Sequence, residues 1–262
     1  MFQINVSVIM PAYNAGRFIE EAVESVLAQT FCGWELIIVD DCSSDGTADI
    51  AGEYAARDPR ISLIRNGVNR GVSFSRMEGV REARHPWIAF LDSDDCWRED
   101  KLEKQIARIR EEPDAKILFT ASAFMAEDGT PYSYVLQAPE RVTYGELLRG
   151  NVMSCSSVMV RRELMLRYPM ENDSLHEDYA SWLRILKEVP YACGVNEPLL
   201  IYRLSQNSKS SGRLASAGMV YRTYKSLGYN ALRSGIMTAR YASYSIAKRR
   251  SIYDQKETVR HE

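Results

Sequence analysis

The first third of this chain reads strand, helix, strand, helix, strand, helix, strand, and that rhythm constrains the fold more than any other feature. Apolar runs at Val6–Met10, Trp34–Val39, Ile61–Arg65 and Trp87–Leu91 have strand length. Between them, Phe18–Gln29 places Ile19, Ala22, Val23, Val26 and Leu27 at helical spacing, and Thr47–Arg57 and Ser73–Arg84 read as further helices. Strands alternating with helices imply a mostly parallel sheet with helices on both faces. Three of the runs stop in polar groups: Pro11-Ala12-Tyr13-Asn14, Asp40-Asp41-Cys42-Ser43 and Asp92-Ser93-Asp94-Asp95. In a parallel sheet these ends lie on one side, where ligands of open α/β sheets bind.

The last group is the most telling. Three carboxylates packed so closely repel one another unless a cation sits between them. Mg²⁺ and Mn²⁺ take oxygen ligands, and Mg²⁺ commonly uses one or two carboxylates together with substrate phosphates. A metal held jointly by protein and a phosphorylated substrate accounts for the cluster. So does a solvated acidic loop, or a helix N-terminus in which Asp95 caps the helix starting near Arg98. Convergence of three polar strand ends on one cleft favours the functional reading.

At 262 residues the chain is long enough for one large or two small domains. A net charge of −2 gives no overall pull toward nucleic acid. Cys32, Cys42, Cys96, Cys155 and Cys193 show neither CxxC nor zinc spacing and fit reduced thiols in the cytoplasm. The start of the chain lacks the pattern of a signal peptide, and no apolar run approaches the roughly 20 residues of a membrane span. Charge is uneven, however: Arg203–Arg250 holds ten Lys or Arg and no Asp or Glu, with Tyr221, Tyr224, Tyr229, Tyr241 and Tyr244 interspersed. Either helices lying in an anionic bilayer interface or a basic helical pair packed on the catalytic domain, or in a dimer interface, would explain this tail.

The middle of the chain is less regular. Lys101–Glu112 reads as a charged helix closed by Pro113, Ile117–Phe124 as a strand before a turn at Asp128-Gly129, and Ser156–Val160 as another strand. Tyr179–Lys187 is helical, Pro198–Tyr202 is a last strand, and the tail from about Gly212 reads as helices joined near Gly228 and Gly235.

The motifs resemble those of the family 2 glycosyltransferases with the GT-A fold. The family's opening is similar to Val6–Asn14, its second element to Trp34–Thr47, its metal motif Asp-x-Asp to Asp92-Ser93-Asp94, and its later Glu-Asp pair to Glu177-Asp178. Four ordered motifs over residues 4 to 205 make a specific match. The resemblance implies a catalytic domain over 1–211, with a Rossmann-like nucleotide-sugar half at 1–97 and an acceptor half at 98–211, followed by a helical extension at 212–262. It implies transfer of one sugar, with inversion, from a nucleotide-sugar donor to a hydroxyl acceptor such as a polyprenyl-diphosphate-linked glycan. UDP is the commonest donor nucleotide in the family. The setting implied is the cytoplasm, free or at the inner face of the plasma membrane, in surface-polysaccharide assembly.

By the same resemblance Asp41 hydrogen-bonds the base, Pro11 and Tyr13 line its pocket, and Asp92 contacts the ribose. Asn14, Arg70 and Ser93 count among the donor-binding residues, although Arg70 reads equally as a surface arginine. Asp94, with Asp92, binds Mn²⁺ or Mg²⁺; Asp178 is the base and Glu177 its support. Tyr179 and Trp182 are acceptor candidates, with a core role the alternative for Trp182, as helix capping is for Asp178. Where many relatives carry a metal-binding histidine after Tyr-Arg, this chain has Ser205. Gln-x-x-Arg-Trp, the mark of processive synthases, is absent. A sugar nucleotidyltransferase would want a Gly-rich basic loop where Pro11–Asn14 stands; an inactive binding subunit would not need Asp92, Asp94 and Asp178. A dehydrogenase is disfavoured because Gly-x-Gly-x-x-Gly is missing.

Overall fold

The computed structural model describes residues 4–205 and 213–254. Its strands are β1 (Val6–Ala12), β2 (Trp34–Asp40), β3 (Ile61–Arg65), β4 (Trp87–Phe90), β5 (Cys96–Trp97), β6 (Ile117–Ala126), β7 (Pro131–Leu136), β8 (Arg141–Val142), β9 (Met159–Arg161) and β10 (Ala192–Leu204). Its helices are α1 (Ile19–Leu27), α2 (Thr47–Arg57), α3 (Val72–Glu82), α4 (Lys101–Glu111), α5 (Tyr144–Leu147), α6 (Arg162–Arg167), α7 (Glu177–Glu188), α8 (Arg213–Ser226) and α9 (Ala231–Asp254).

All the strands join one sheet, ordered β3-β2-β1-β4-β9-β6-β10-β5, with β7 on β6 and β8 on β10. The block β3-β2-β1-β4 is parallel throughout, as its crossover helices require. Beyond it, β9 runs antiparallel to both β4 and β6, so the sheet is mixed in its second half. Strand order reverses between β1 and β4, and a crevice at such a switch point is where open α/β sheets bind ligands.

Side chains alternate across the strands and divide the core into two layers. Ile9, Val39, Ile88 and Phe90 face α3, α6 and α7 through Met77, Val80, Leu164, Trp182 and Leu183. Val8, Met10, Leu36, Ile38 and Ala89 face α1 and α4 through Ile19, Val23, Leu102 and Ile106. Buried on both faces, the parallel strands carry near-continuous apolar runs rather than alternating ones.

Two expectations change. Ser156–Val160 is not one strand: Cys155–Ser157 is a 3-10 turn and β9 begins only at Met159. The serine hydroxyls explain this, since Ser157 donates to the Ser154 carbonyl and Ser156 donates to Asp95 Oδ2. A short hydroxyl side chain that bonds locally, as that of Ser157 does, diverts the backbone from a ladder. Gly235 does not join two helices either; it lies within α9. Gly228 is the joint, at φ +92°, a left-handed conformation that glycine adopts without strain.

Helices α8 and α9 pack on the rest of the fold. Val220 and Tyr224 of α8 are buried in the same layer as Trp182, and Ile252 near the end of α9 is buried with Phe124 and Leu136. The other side of α9 leaves Leu232, Ile236 and Ile246 exposed beside Arg233, Arg240, Arg249 and Arg250. No helix among the described residues is long and apolar enough to cross a membrane.

Candidate active site

The carboxyl ends of β1, β2 and β4 form the floor of the cleft. Asp41 N–H donates to the Ala12 carbonyl at 2.8 Å, which ties the ends of β1 and β2. Asn14 stands at φ +49° and Cys42 at φ +64°, turning the chain sharply after each strand. Asn14 N–H donates to Ser43 Oγ and Ser44 N–H to Asn14 Oδ1, each at 2.9 Å, so the two loops are laced together. Pro11 is buried within β1, whereas Tyr13 is 53% exposed with its ring available at the rim.

Asp41 is buried and organises the next loop. Its carboxylate accepts Asn66 Nδ2 at 2.8 Å, Arg70 N–H at 3.0 Å and Gly71 N–H at 2.7 Å. Arg70 itself is exposed and lays its guanidinium 3.4 Å from the Phe74 ring centre, at the edge of a cavity of about 490 Å³. Gly71, at φ +89°, could not be replaced without strain; a Cβ there would also strike the Asp173 carboxylate.

The acidic cluster after β4 divides into distinct roles. Asp95 is fully buried and structural: it accepts Ser156 Oγ at 2.6 Å and Arg203 N–H at 2.9 Å. Ser156 Oγ also accepts Asp92 N–H at 3.0 Å, and Ser93 is buried between. Arg203 donates from Nε to the Asp94 carbonyl at 2.9 Å and pairs with Glu21 at 2.5 Å, holding the loop shut from below. Asp94 makes no ion pair among the described residues. Burial and then the Asp92 charge push its carboxyl up to about 6, against the pull of Arg203 and Arg76.

Arg76 is the residue that sequence reasoning missed. It is 4% exposed on the inner face of α3 and donates to Asp92 Oδ1 at 2.6 Å and Glu177 Oε1 at 2.8 Å. One guanidinium thus joins the Asp-x-Asp loop to the start of α7. Burial acts against its charge, but Asp92 and Glu177 overcome that and hold it well above the ordinary arginine value. The available signal was an arginine three residues after Ser73 and four before Val80, both buried, on an otherwise inward face.

Asp178 lies in the first turn of α7 and accepts its neighbour's N–H, Tyr179, at 2.7 Å. Burial and then the Glu177 charge raise its carboxyl to about 6, opposed by Arg76. A half-buried carboxylate of that affinity can accept a proton near neutral pH. The acceptor candidates beside it are corrected: Tyr179 and Trp182 are both 0% exposed. Trp182 packs on Phe90 with ring centres 6.0 Å apart, and Tyr179 donates to the Leu147 carbonyl at 3.0 Å. Neither ring has a free face for a sugar, because α7 turns its apolar side to the sheet.

The family model for glycosyl transferase family 2 matches residues 7–165. The chain is a family 2 glycosyltransferase. It is 42% identical over 222 residues to TuaG of Bacillus subtilis strain 168, whose name is that of a teichuronic acid biosynthesis glycosyltransferase; the match covers 85% of this chain and 88% of TuaG. It is 36% identical over 211 residues to WfgD of Escherichia coli, a UDP-Glc:alpha-D-GlcNAc-diphosphoundecaprenol beta-1,3-glucosyltransferase, covering 79% of this chain and 80% of WfgD. Among solved structures, Staphylococcus aureus TarS 1-349 in complex with UDP-GlcNAc matches with a TM-score of 0.71 at 19% identity, over 95% of this chain and 73% of that one. The mannosyltransferase PcManGT of Pyrobaculum calidifontis, in complex with GDP-Man and Mn²⁺, matches with a TM-score of 0.69 at 16% identity, over 94% of this chain and 73% of that one. These structures establish the GT-A-like architecture. The Asp92-Ser93-Asp94 loop lies within the family match, and Glu177-Asp178 lies beyond it.

Proposed function

We propose that this glycosyltransferase moves one sugar from a UDP-sugar to a hydroxyl of a polyprenyl-diphosphate-linked glycan or a similar surface-polysaccharide precursor, with inversion. The observation that carries the reading is Arg76, which ties Asp92 of the donor motif to Glu177 of the base motif in one cleft. WfgD, named for such an acceptor, supports the substrate class. In this reading Asp41 and the rim of Pro11, Tyr13 and Asn14 hold the nucleotide, Asp92 and Ser93 hold its ribose side, and Arg70 borders the donor. Residues 1–97 then form the donor half, 98–211 the acceptor half and 212–262 the extension. The 211/212 boundary falls on residues outside those described.

The residues fit a divalent cation. Asp94 has no ion pair among the described residues, and burial together with the nearby Asp92 charge raises its proton affinity, a cost that Mn²⁺ or Mg²⁺ would relieve. Among the described residues no three potential ligands gather, which suits an ion completed by substrate phosphates. Bound there, the ion would stabilise the charge that develops on the departing diphosphate. Asp178 takes the proton of the acceptor hydroxyl as its oxygen attacks the anomeric carbon and UDP leaves from the opposite face. Arg76 holds Asp92 and Glu177 in place without touching the reacting atoms.

UDP release from UDP-sugars, with and without Mn²⁺ and with a polyprenyl-diphosphate-linked sugar as acceptor, tests the proposal. Metal- and acceptor-dependent release supports it. Binding of UDP without any transfer would favour an inactive binding subunit.

A further inference from the structure

Residues 168–176 join α6 to α7 and lead directly into Glu177-Asp178. Met170 and Leu175 are buried toward the ends of this loop, while Glu171, Asn172 and Ser174 between them are exposed. The loop and the Arg70–Met77 side of α3 together line the cavity of about 490 Å³, so open space stands where packing would otherwise hold the two. Asp173 makes the crossing. Its Oδ1 accepts the Ser73 N–H at 2.9 Å and also the Ser73 hydroxyl. Gly71 precedes α3 and has no side chain with which to cap it. Ser73 is at the second helical position, whose N–H an N-cap side chain ordinarily satisfies. A carboxylate 100 residues further along the chain supplies that cap instead, with its charge at the favourable end of the helix dipole.

The same short stretch is gripped from its other side. Asp41, just after β2, accepts the Arg70 N–H at 3.0 Å and the Gly71 N–H at 2.7 Å. Arg70–Ser73 is therefore held between Asp41 and the loop that delivers Asp178. We infer that Asp173 is a positioning residue that makes the placement of Asp178 depend on an occupied nucleotide site. A uridine diphosphate held at Asp41 steadies Arg70–Ser73, and through Asp173 it steadies the loop before the base. This rests on the glycosyl-transfer reading and adds to it the contact by which the donor prepares the base. Arg76 pins Glu177 to the middle of α3, and Asp173 pins the preceding loop to its first turn. Two points of attachment fix the direction from which α7 approaches, which one cannot. On its far side the loop is tied to α8: Arg222 Nε donates to the Ser174 carbonyl at 2.9 Å, and His176 Nε2 lies 3.1 Å from Ser216 Oγ. Its exposed middle has few buried contacts, as do segments that open locally at small cost.

Hydrogen exchange of the full chain, read by mass spectrometry with and without UDP and Mn²⁺, tests this. In the parent, UDP with Mn²⁺ should slow exchange in residues 66–73 and also in 171–178, by about tenfold or more in the second segment, the worth of one charged hydrogen bond. Asp173→Ala should keep the protection of 66–73 and lose that of 171–178. Asp173→Asn still offers Ser73 an acceptor oxygen and should retain most of it. Glu171→Gln loosens the same loop at its 3.7 Å contact with Arg184 and should respond to UDP as the parent does. In the transfer assay Asp173→Ala should lower kcat by about 10- to 100-fold with UDP affinity unchanged, because a small misplacement of a catalytic group costs that much. A merely structural cap would leave the response to UDP alike in parent and variant. Equal protection of 171–178 in the two overturns the inference, as does parent protection confined to 66–73 or a parent kcat in Asp173→Ala. A parent that fails to bind UDP removes the glycosyl-transfer reading, and the inference with it.

Discussion

Arg76 and Glu177, 101 residues apart, meet at 2.8 Å with both side chains buried. The other arm of the same guanidinium holds Asp92 at 2.6 Å. The pairing joins the half of the chain that ends in Asp-x-Asp to the half that supplies Asp178.

Breaking this bridge should be expensive. Arg76→Ala leaves Glu177 and Asp92 without their cation, and loss of one partner of a buried pair typically costs about 3–5 kcal/mol. Urea denaturation should record a loss near the lower bound, since Asp92 retains 27% exposure. Arg76→Lys should recover part of the stability but little activity, because one ammonium cannot reach both carboxylates in the fork geometry. A stability equal to the parent in Arg76→Ala would show the bridge to be incidental.

If Asp178 is the base, it should set the acid limb of the rate profile. Its carboxyl is raised to about 6, so the base form is present above that pH and is lost as pH falls through it. We expect kcat/KM to drop about tenfold per unit below pH 6. Asp178→Asn should lower transfer by about 10² to 10⁴ with UDP affinity retained. If the variant keeps the parent rate, Asp178 is a helix cap and Glu177 is the next residue to replace.

Asp94→Ala should abolish metal-dependent donor binding while the fold persists. Ligand at about 100 times Kd stabilises a protein by roughly 2.7 kcal/mol, or several degrees in Tm for a chain of this size. The parent should show that shift with UDP and Mn²⁺ together, and the variant should show none. An equal shift in both would mean that Asp94 is merely solvated.

Trp182→Ala should act on stability. Emptying a fully buried tryptophan site costs about 3–5 kcal/mol. Trp182→Phe, which keeps most of the packing on Phe90, should leave the acceptor KM unchanged. A large rise in that KM without loss of stability would restore the ring to the acceptor site.

The outer face of α9 should bind anionic vesicles. Each Lys or Arg near such a surface contributes roughly 1 kcal/mol, and Arg233, Arg240, Arg249 and Arg250 are exposed there beside Leu232, Ile236 and Ile246. Truncating the extension would be a poor test, since Tyr224 and Ile252 are part of the core. Flotation of Leu232→Ser/Ile236→Ser against the parent, in low and high salt, isolates the surface. Equal recovery in the soluble fraction would assign this face to solvent or to a second copy of the chain.

Local signals carried the first third of the chain. Thr47–Arg57 and Ile61–Arg65 are a helix and a strand at those very residues, because apolar periodicity and the Asp45-Gly46 turn agree there. The three polar strand ends meet as expected, since parallel strands point their carboxyl ends one way. The Ser154–Ser157 stretch resisted prediction because the Ser157 hydroxyl bonds back to the Ser154 carbonyl and that of Ser156 goes to Asp95, far along the chain. Short elements such as α5 and β8 are too brief to show a period.

The amino-acid sequence by itself determined the α/β architecture, the family and the carboxylates available for chemistry, because those depend on periodicity and on residue type at strand ends. Only the tertiary structure decided which side chains complete the cleft. Arg76 and Arg203 owe their roles to partners far along the chain, and Tyr179 and Trp182 lose theirs to burial. Charge pairing and burial are properties of neighbours in space, which a local pattern of residues does not encode.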